Sequence, residues 1–264
     1  MSNKIPIVLY HSISKVVSPK FRRWAVPPET FREHMGFLYY NGYEPITVTH
    51  LTTAMVDSSV HLPDRPVTLT FDDGFADFYS GALPILKHYS FTATLYITTG
   101  FVGRTSRWLH PLGEGDRQML TWEQISEIDA SGIECGAHST THPQLDTLAP
   151  PAAREEIILS KSVLEQQLGR QVPTFAYPYG FYNSTVRQLV RQEGYSSCCA
   201  VKHAMSAVTD DRFALARIIV DSDTDVERFC RLVAGQGLRV APKGERIRTK
   251  VWRFARRSST WLKA

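Results

Sequence analysis

Four side chains have types and spacing that suit metal-assisted hydrolysis. Asp72 and Asp73 are adjacent, and His138 and His142 flank Ser139, Thr140 and Thr141. Two imidazoles and one carboxylate form a ligand set that leaves positions open for water and substrate. Zinc hydrolases use the same number of protein ligands. Adjacent residues leaving a strand point in different directions. One aspartate can therefore hold a metal while the other serves as general base towards a water. Neither pair decides alone, because Asp210-Asp211 is a second adjacent pair and reads as a solvated turn.

The elements around these residues give them weight. Apolar runs at residues 5–10, 66–71, 92–97, 133–137, 172–177, 196–201 and 214–220 read as strands. Helical stretches are expected at 28–40, 78–89, 121–130, 151–168 and 183–193, and Asp223 is the expected cap of a last helix to about residue 233. Thr121 and Gln124 have the spacing of a capping box. Strands alternating with helices imply a parallel sheet, and about seven such units suit a closed or nearly closed barrel. In such folds the carboxyl ends of the strands collect the reactive groups on one face. His11, Asp72-Asp73, His138 and Tyr179 each follow a predicted strand, and Arg217 lies within the last one. The one long connection, 98–120, contains Gly100, Gly103, Gly113 and Gly115 and has the length of a lid or binding loop. Its Trp108 and His110 are candidates to line a pocket, and Trp108 also reads as an anchor to the core.

Composition bounds the remaining possibilities. The chain has 264 residues, 43% hydrophobic and 21% charged, which fits one globular domain and excludes collagen, coiled coil and bulk disorder. No run of 18 apolar residues is present to span a bilayer. The apolar stretch near the start is too short for a signal-peptide core, and the four cysteines include no C-x-x-C pair. A reduced, cytoplasmic setting is the expectation. Charge is uneven: eight Lys/Arg face only Glu245 between Lys243 and Lys263, while the body carries a small acidic excess despite the overall +4. That balance gives no support to nucleic-acid binding. The organisation expected is a body at 1–242 and a basic tail at 243–264. Within 245–264, apolar residues at near-helical spacing among basic ones describe an interfacial amphipathic helix, so peripheral membrane contact at the inner surface is expected there. The competing reading is a helix packed back on the barrel with solvated arginines, or a disordered end.

Thr70-Phe71-Asp72-Asp73-Gly74 and His138-Ser139-Thr140-Thr141-His142 resemble the T-F-D-D-G and H-[ST]-x-x-H motifs of the NodB-homology polysaccharide deacetylases, carbohydrate esterase family 4. The resemblance covers residues 5–235 and implies a single catalytic domain with a distorted (β/α)7 barrel. It also implies that Asp73, His138 and His142 bind the metal and that Asp72 is the general base. Pro178-Tyr179 matches the end of the third motif, so the Tyr179 backbone N–H is the implied oxyanion donor. Two positions depart from the pattern. Ala176 stands where the family has an arginine that orients the base, and Arg217 stands where it has a histidine that acts as general acid. Arginine stays protonated and cannot readily give up a proton. Tyr10-His11-Ser12-Ile13 is similar to the branch containing poly-N-acetylglucosamine deacetylases, whose early histidine takes the acid role, and this makes His11 the candidate. Arg217 is then the candidate partner for Asp72, in place of the arginine missing at Ala176.

The expected function is metal-dependent removal of N-acetyl groups from an amino sugar in a polysaccharide, oligosaccharide or lipid-linked glycan. Zn2+ is the favoured ion, with Co2+, Ni2+, Mn2+ or Fe2+ open. Two alternatives stand beside it. One is hydrolysis of a non-sugar amide or cyclic ureide, for which the 98–120 connection would be small and closed. The other is a non-catalytic, metal-retaining carbohydrate-binding protein.

Overall fold

Strands that are apolar along their whole length must be covered on both faces, and parallel pairing with helical crossovers supplies that cover. The computed structural model describes residues 4–238 together with Trp252, Arg253 and Arg256. Seven strands form its centre: β1 (Ile7–Tyr10), β2 (Pro66–Phe71), β3 (Thr94–Ile97), β4 (Glu134–Ala137), β5 (Thr174–Ala176), β6 (Ser197–Cys199) and β7 (Ile218–Ile219). They pair in parallel in the order β6-β5-β4-β3-β2-β1-β7. The ring closes through Leu215, which bridges Cys199 and accepts from the Ala200 N–H at 2.8 Å. The result is the expected distorted (β/α)7 barrel. Pairing is thinnest between β4 and β5, where only Ala137 and Phe175 are in register. Gly136 is required there, because a Cβ would lie 2.7 Å from the buried Tyr96 ring.

The helices α1 (Pro28–Tyr40), α2 (Val48–Ala54), α3 (Leu83–His88), α4 (Trp122–Ala130), α5 (Pro150–Leu168), α6 (Ser184–Gln192) and α7 (Val226–Val233) accompany the barrel strands along the chain. The Thr121/Gln124 capping box opens α4 as read from the sequence, and Gly169 ends α5 in the left-handed conformation. Several expectations need correction. The 5–10 strand is interrupted at Pro6, and Lys4–Ile5 pairs instead with Ser206–Ala207. The 78–89 helix opens as a π-turn, Phe78–Ala82, before α3. The 214–220 strand shortens to two residues. Asp225, not Asp223, caps α7, accepting from the Arg228 N–H at 2.7 Å, three residues ahead as a cap requires. The short Glu44–Pro45 strand, which extends the sheet beside β2, and α2 were not anticipated.

The expected division at residue 242 lies outside the described residues. Of the 245–264 segment, only Trp252, Arg253 and Arg256 are described, and their backbone is helical. Arg253 and Arg256 both bind Asp146 of the barrel domain. The rest of the amphipathic-helix and membrane-contact reading lies outside the described residues.

One buried histidine ties α1 to α7. The Thr224 carbonyl can only accept, so His34 Nε2 donates to it at 3.0 Å, and Nδ1 receives the Tyr10 hydroxyl at 3.0 Å. The ring stacks on Phe229 at 4.2 Å. Burial lowers the pKa of His34 to about 4. The unfolded chain therefore takes up this proton first, so His34 costs no stability above about pH 6.5 and a growing amount as pH falls towards 4, on the order of 3 kcal/mol in all. Urea unfolding followed from pH 7 to pH 4.5 should show falling stability, and His34→Gln should flatten that slope.

Candidate active site

Each reactive group sits where a strand ends at the same mouth of the barrel. Asp72 and Asp73 leave β2, with the Asp72 N–H held by the Tyr10 carbonyl of β1 at 3.1 Å and the Asp73 carbonyl held by the Thr98 N–H at 3.2 Å. Asp73 takes a left-handed φ of 78° and Gly74 one of 86°. This turn separates the directions of the two carboxylates. His138 leaves β4, its N–H bonded to the Ile97 carbonyl at 3.0 Å. His142 returns across a tight turn with its N–H on Ser139 Oγ at 3.0 Å.

That turn is held from outside the motif. The Thr140 and Thr141 N–H groups donate to the Glu156 carboxylate of α5 at 2.9 and 2.8 Å. Gly100 donates to the Thr140 carbonyl at 2.8 Å, an approach so close that a Cβ there would lie 2.6 Å from the same oxygen. Ser139, His142 and Tyr179 also have left-handed φ values, of 63°, 60° and 58°. Non-glycine residues adopt this region only where surroundings enforce it, and such strain gathers at functional sites.

Asp73, His138 and His142 are buried, and their ligand atoms lie within 4.8 Å of one another. His142 Nε2 is 3.2 Å and His138 Nε2 3.5 Å from Asp73 Oδ1. The His138 Nδ1–H donates to the Ala176 carbonyl at 2.8 Å. This fixes the tautomer and turns the Nε2 lone pair towards Asp73, the arrangement that orients a metal-ligating imidazole. Among the described residues, no hydrogen-bond donor satisfies the buried Asp73 Oδ1. Burial alone would raise the pKa of Asp73, but the two imidazoles hold it well below the ordinary carboxylate range. Donor types, tautomer and an anionic oxygen without a donor all fit a divalent cation.

Asp72 is stabilised separately. Arg217 is fully buried and forms a two-pronged bond to it, Nη1 to Oδ1 at 2.6 Å and Nη2 to Oδ2 at 2.7 Å. Its Nε donates to the Ala200 carbonyl at 3.0 Å and its Nη1 also reaches Thr70 Oγ1 at 3.3 Å. Burial would raise the pKa of Asp72, but Arg217, followed by His138, outweighs it and keeps the carboxylate anionic. The guanidinium thus comes from the segment leading into β7, where the sequence resemblance left a gap at Ala176. The Ala176 position contributes its carbonyl to His138 instead.

Aromatic rings wall the site. His142 lies between Trp108, at 5.1 Å, and Tyr179, at 4.5 Å. Trp108 also packs on Phe101 at 4.6 Å, so it both anchors the long connection and lines the site. His110 is exposed and lies against Gly115 within the connection itself. The His11 ring packs on Trp24 at 4.9 Å, and burial lowers its pKa against the opposing effect of Asp73 and Asp72.

Comparison with known proteins agrees with this geometry. The polysaccharide deacetylase profile matches residues 59–198. The chain belongs to the polysaccharide deacetylase family. Its members are amidohydrolases acting on N-acetyl groups, that is, on C–N bonds outside peptides. The Bacillus subtilis protein YxkH is 30% identical over 217 residues, 82% of this chain and 71% of that protein. The poly-beta-1,6-N-acetyl-D-glucosamine N-deacetylase of Escherichia coli K12 is 22% identical across 88% of this chain, which spans 38% of that protein. Among solved structures, the Streptococcus pyogenes deacetylase PplD, in complex with acetate, matches with a TM-score of 0.75 and 29% identity over 87% of this chain and 98% of that one. IcaB from Ammonifex degensii has the same fold, with a TM-score of 0.70 and 24% identity over 88% of this chain and 96% of that one.

All seven residues singled out from the sequence lie at this mouth or, for Arg217, directly beneath it. Glu156, Gly100 and Trp24 were not anticipated. Glu156 reads in the sequence as one more acidic residue of a solvated helix, and nothing local marks it as the support of a turn fifteen residues earlier. The Arg217–Asp72 pair should couple strongly. Arg217→Met leaves a buried carboxylate without its partner and should cost about 3–5 kcal/mol, whereas Asp72→Asn/Arg217→Met should recover much of that loss. A double-mutant cycle by urea unfolding measures this coupling.

Proposed function

We propose that this chain removes the N-acetyl group from an amino sugar within a glycan, poly-N-acetylglucosamine being the type of substrate its relatives indicate. The observation that carries the reading is the separation of roles between two adjacent carboxylates. Asp73 shares a site with two imidazoles, and Asp72, 3.8 Å from one of them, is held in its own orientation by a buried arginine fork. A divalent cation at Asp73, His138 and His142, zinc being favoured by this donor set, would polarise the acetamide carbonyl and acidify a water.

The protein groups do the rest. Asp72 is anionic, fixed in orientation and within 3.8 Å of His138 Nε2, a position that supports its role as the base accepting the proton of the attacking water. The Tyr179 N–H, at the tip of its left-handed turn beside His142, is the donor assigned to the carbonyl oxygen as charge develops there. His11, braced by Trp24, is the group assigned to protonate the departing amine. Arg217 holds Asp72 and takes no part as an acid. Tyr179 is 45% exposed although His142 beside it is buried. This open wall favours a residue of a longer chain over a small amide enclosed by a lid.

Acetate release from β-1,6-linked N-acetylglucosamine oligomers should require the metal-loaded protein and stop on chelation. Asp72→Asn should lower turnover by roughly 10²–10⁴-fold while metal content measured by mass spectrometry stays near that of the unaltered protein. Undiminished activity in that variant removes the base assignment, and activity that survives complete metal removal overturns the metal-dependent reading.

A further inference from the structure

The two metal-site imidazoles are supported differently. His138 is locked by its Nδ1 bond to Ala176. His142 Nδ1 is buried without a hydrogen-bond partner among the described residues, so ring packing and the backbone of its turn must hold it. One side of that packing is Trp108 and the other is Tyr179. Tyr179 in turn stacks on Phe181 at 6.0 Å, and the Arg256 guanidinium lies 4.0 Å from the centre of the Phe181 ring.

Arg256 also reaches the chain just beyond His142. Its Nη1 and Nη2 fork onto Asp146 at 2.9 and 2.7 Å, and Nη1 also reaches Gln144 Oε1 at 2.8 Å. Asp146 lies in the turn Leu145–Thr147 and is 1% exposed, while Arg256 is 7% exposed. Arg253 adds Nε to Asp146 at 2.8 Å and Nη2 to the Tyr182 carbonyl at 3.2 Å. A planar fork on a buried carboxylate fixes geometry in a way a lysine cannot. The β4–α5 loop carries His142, Gln144 and Asp146, and the β5–α6 loop carries Tyr179, Phe181 and Tyr182. One guanidinium, with a second beside it, therefore spans both.

We propose that Arg256 straps these two loops together and is a positioning residue for His142. The inference rests on the metal-site reading given above. Loss of the fork lets the Tyr179–Phe181 wall and the 142–146 turn shift independently, and His142, whose Nδ1 has no hydrogen-bond partner among the described residues, loses its fixed approach to Asp73. The basic C-terminal segment thus serves the site from behind, and two of the arginines that gave it the look of a membrane helix are committed to Asp146.

Cobalt(II) titration followed by visible absorption tests this on the full chain. The unaltered protein should bind one Co(II), with bands that report its coordination geometry. Arg256→Gln should weaken binding by about tenfold or more, the range for loss of a group that orients a ligand, and should shift those bands. Asp146→Asn should do the same, Asp146→Asn/Arg256→Gln should be no worse than either alone, and Arg256→Lys should fail to restore the original spectrum. Arg228→Gln, which breaks the surface pair with Asp221, should leave binding unchanged. Phe181→Leu keeps the ion pair, removes the ring beneath Tyr179, and should reproduce the spectral shift even if the charge variants fold poorly. Unaltered affinity and spectrum in Arg256→Gln, or in Phe181→Leu where the former does not fold, overturn the strap. Failure of the unaltered protein to bind Co(II) overturns the metal site instead, so the two failures are distinguishable.

Discussion

Two carboxylates, adjacent in sequence and both buried at one barrel mouth, set the central constraint on this molecule. Two like charges buried near one another repel, and the more strongly where water is excluded. Neither carboxylate can remain anionic there without its own source of positive charge. Asp72 has the Arg217 fork, and Asp73 has two imidazoles beside it, a cluster that could hold a cation. A buried guanidinium in turn needs acceptors for its other donors. The Ala200 carbonyl and the Thr70 hydroxyl supply them, and the face of Tyr96 lies 5.6 Å away. The polar lining of an otherwise apolar barrel follows from that requirement, as does Gly136, whose missing side chain leaves room for Tyr96.

The same constraint explains why the site is made from so much of the chain. Each charged group must meet its partner with its geometry already set, because nothing in a buried site can be corrected by solvent. Strained backbone at Asp73, Ser139, His142 and Tyr179 is one sign of this, and the bonds that hold it come from distant elements such as Glu156 and Gly100. The long 98–120 connection obeys the same logic. Length marked it as a lid or binding loop, and Arg117, 10% exposed, ties it down by binding Asp77 and Ser12 at 2.5 Å and Glu114 at 3.0 Å. Asp77 also accepts from the Ile13 N–H at 2.8 Å, and Glu114 from the Ser18 N–H. Buried charge pairs of this kind are costly to break. The connection is consequently a wall that delivers Trp108 to His142, and it also steadies the chain between His11 and Trp24.

What could be read from the sequence divides along the range of the interactions. Elements set by local chemistry were legible: the Thr121/Gln124 box, the Gly169 stop, and the apolar runs of the barrel strands. Strand lengths were overestimated because a parallel strand's apolar run continues past the residues that pair, as at 172–177 around Thr174–Ala176. Helix α2 escaped notice because four of its seven residues are β-branched and weak helix formers. It exists through the Thr47 cap and the burial of Val48 and Leu51, both tertiary facts. The clustering of Asp73, His138 and His142 was legible because motif and strand-end position coincide, and the Arg217–Asp72 pairing was legible only as the answer to an absence at Ala176. Asp146, Glu156 and Arg117 had no local signature at all.

The charge pattern shows how a count of charges leaves their partners open. A basic segment beyond an acidic body invites an external anionic partner, and membrane surfaces are the usual one. Yet the barrel presents Asp146 near its mouth, buried enough to need a guanidinium and close enough to His142 for that guanidinium to matter. Long-range complementarity between a basic segment and an acidic body is therefore satisfied within the chain at Arg253 and Arg256. Composition reports that such charges exist and which sign prevails, but their partners are set by the depth of each carboxylate. Depth is a property of the fold, and it appears only once the barrel has closed around Arg217.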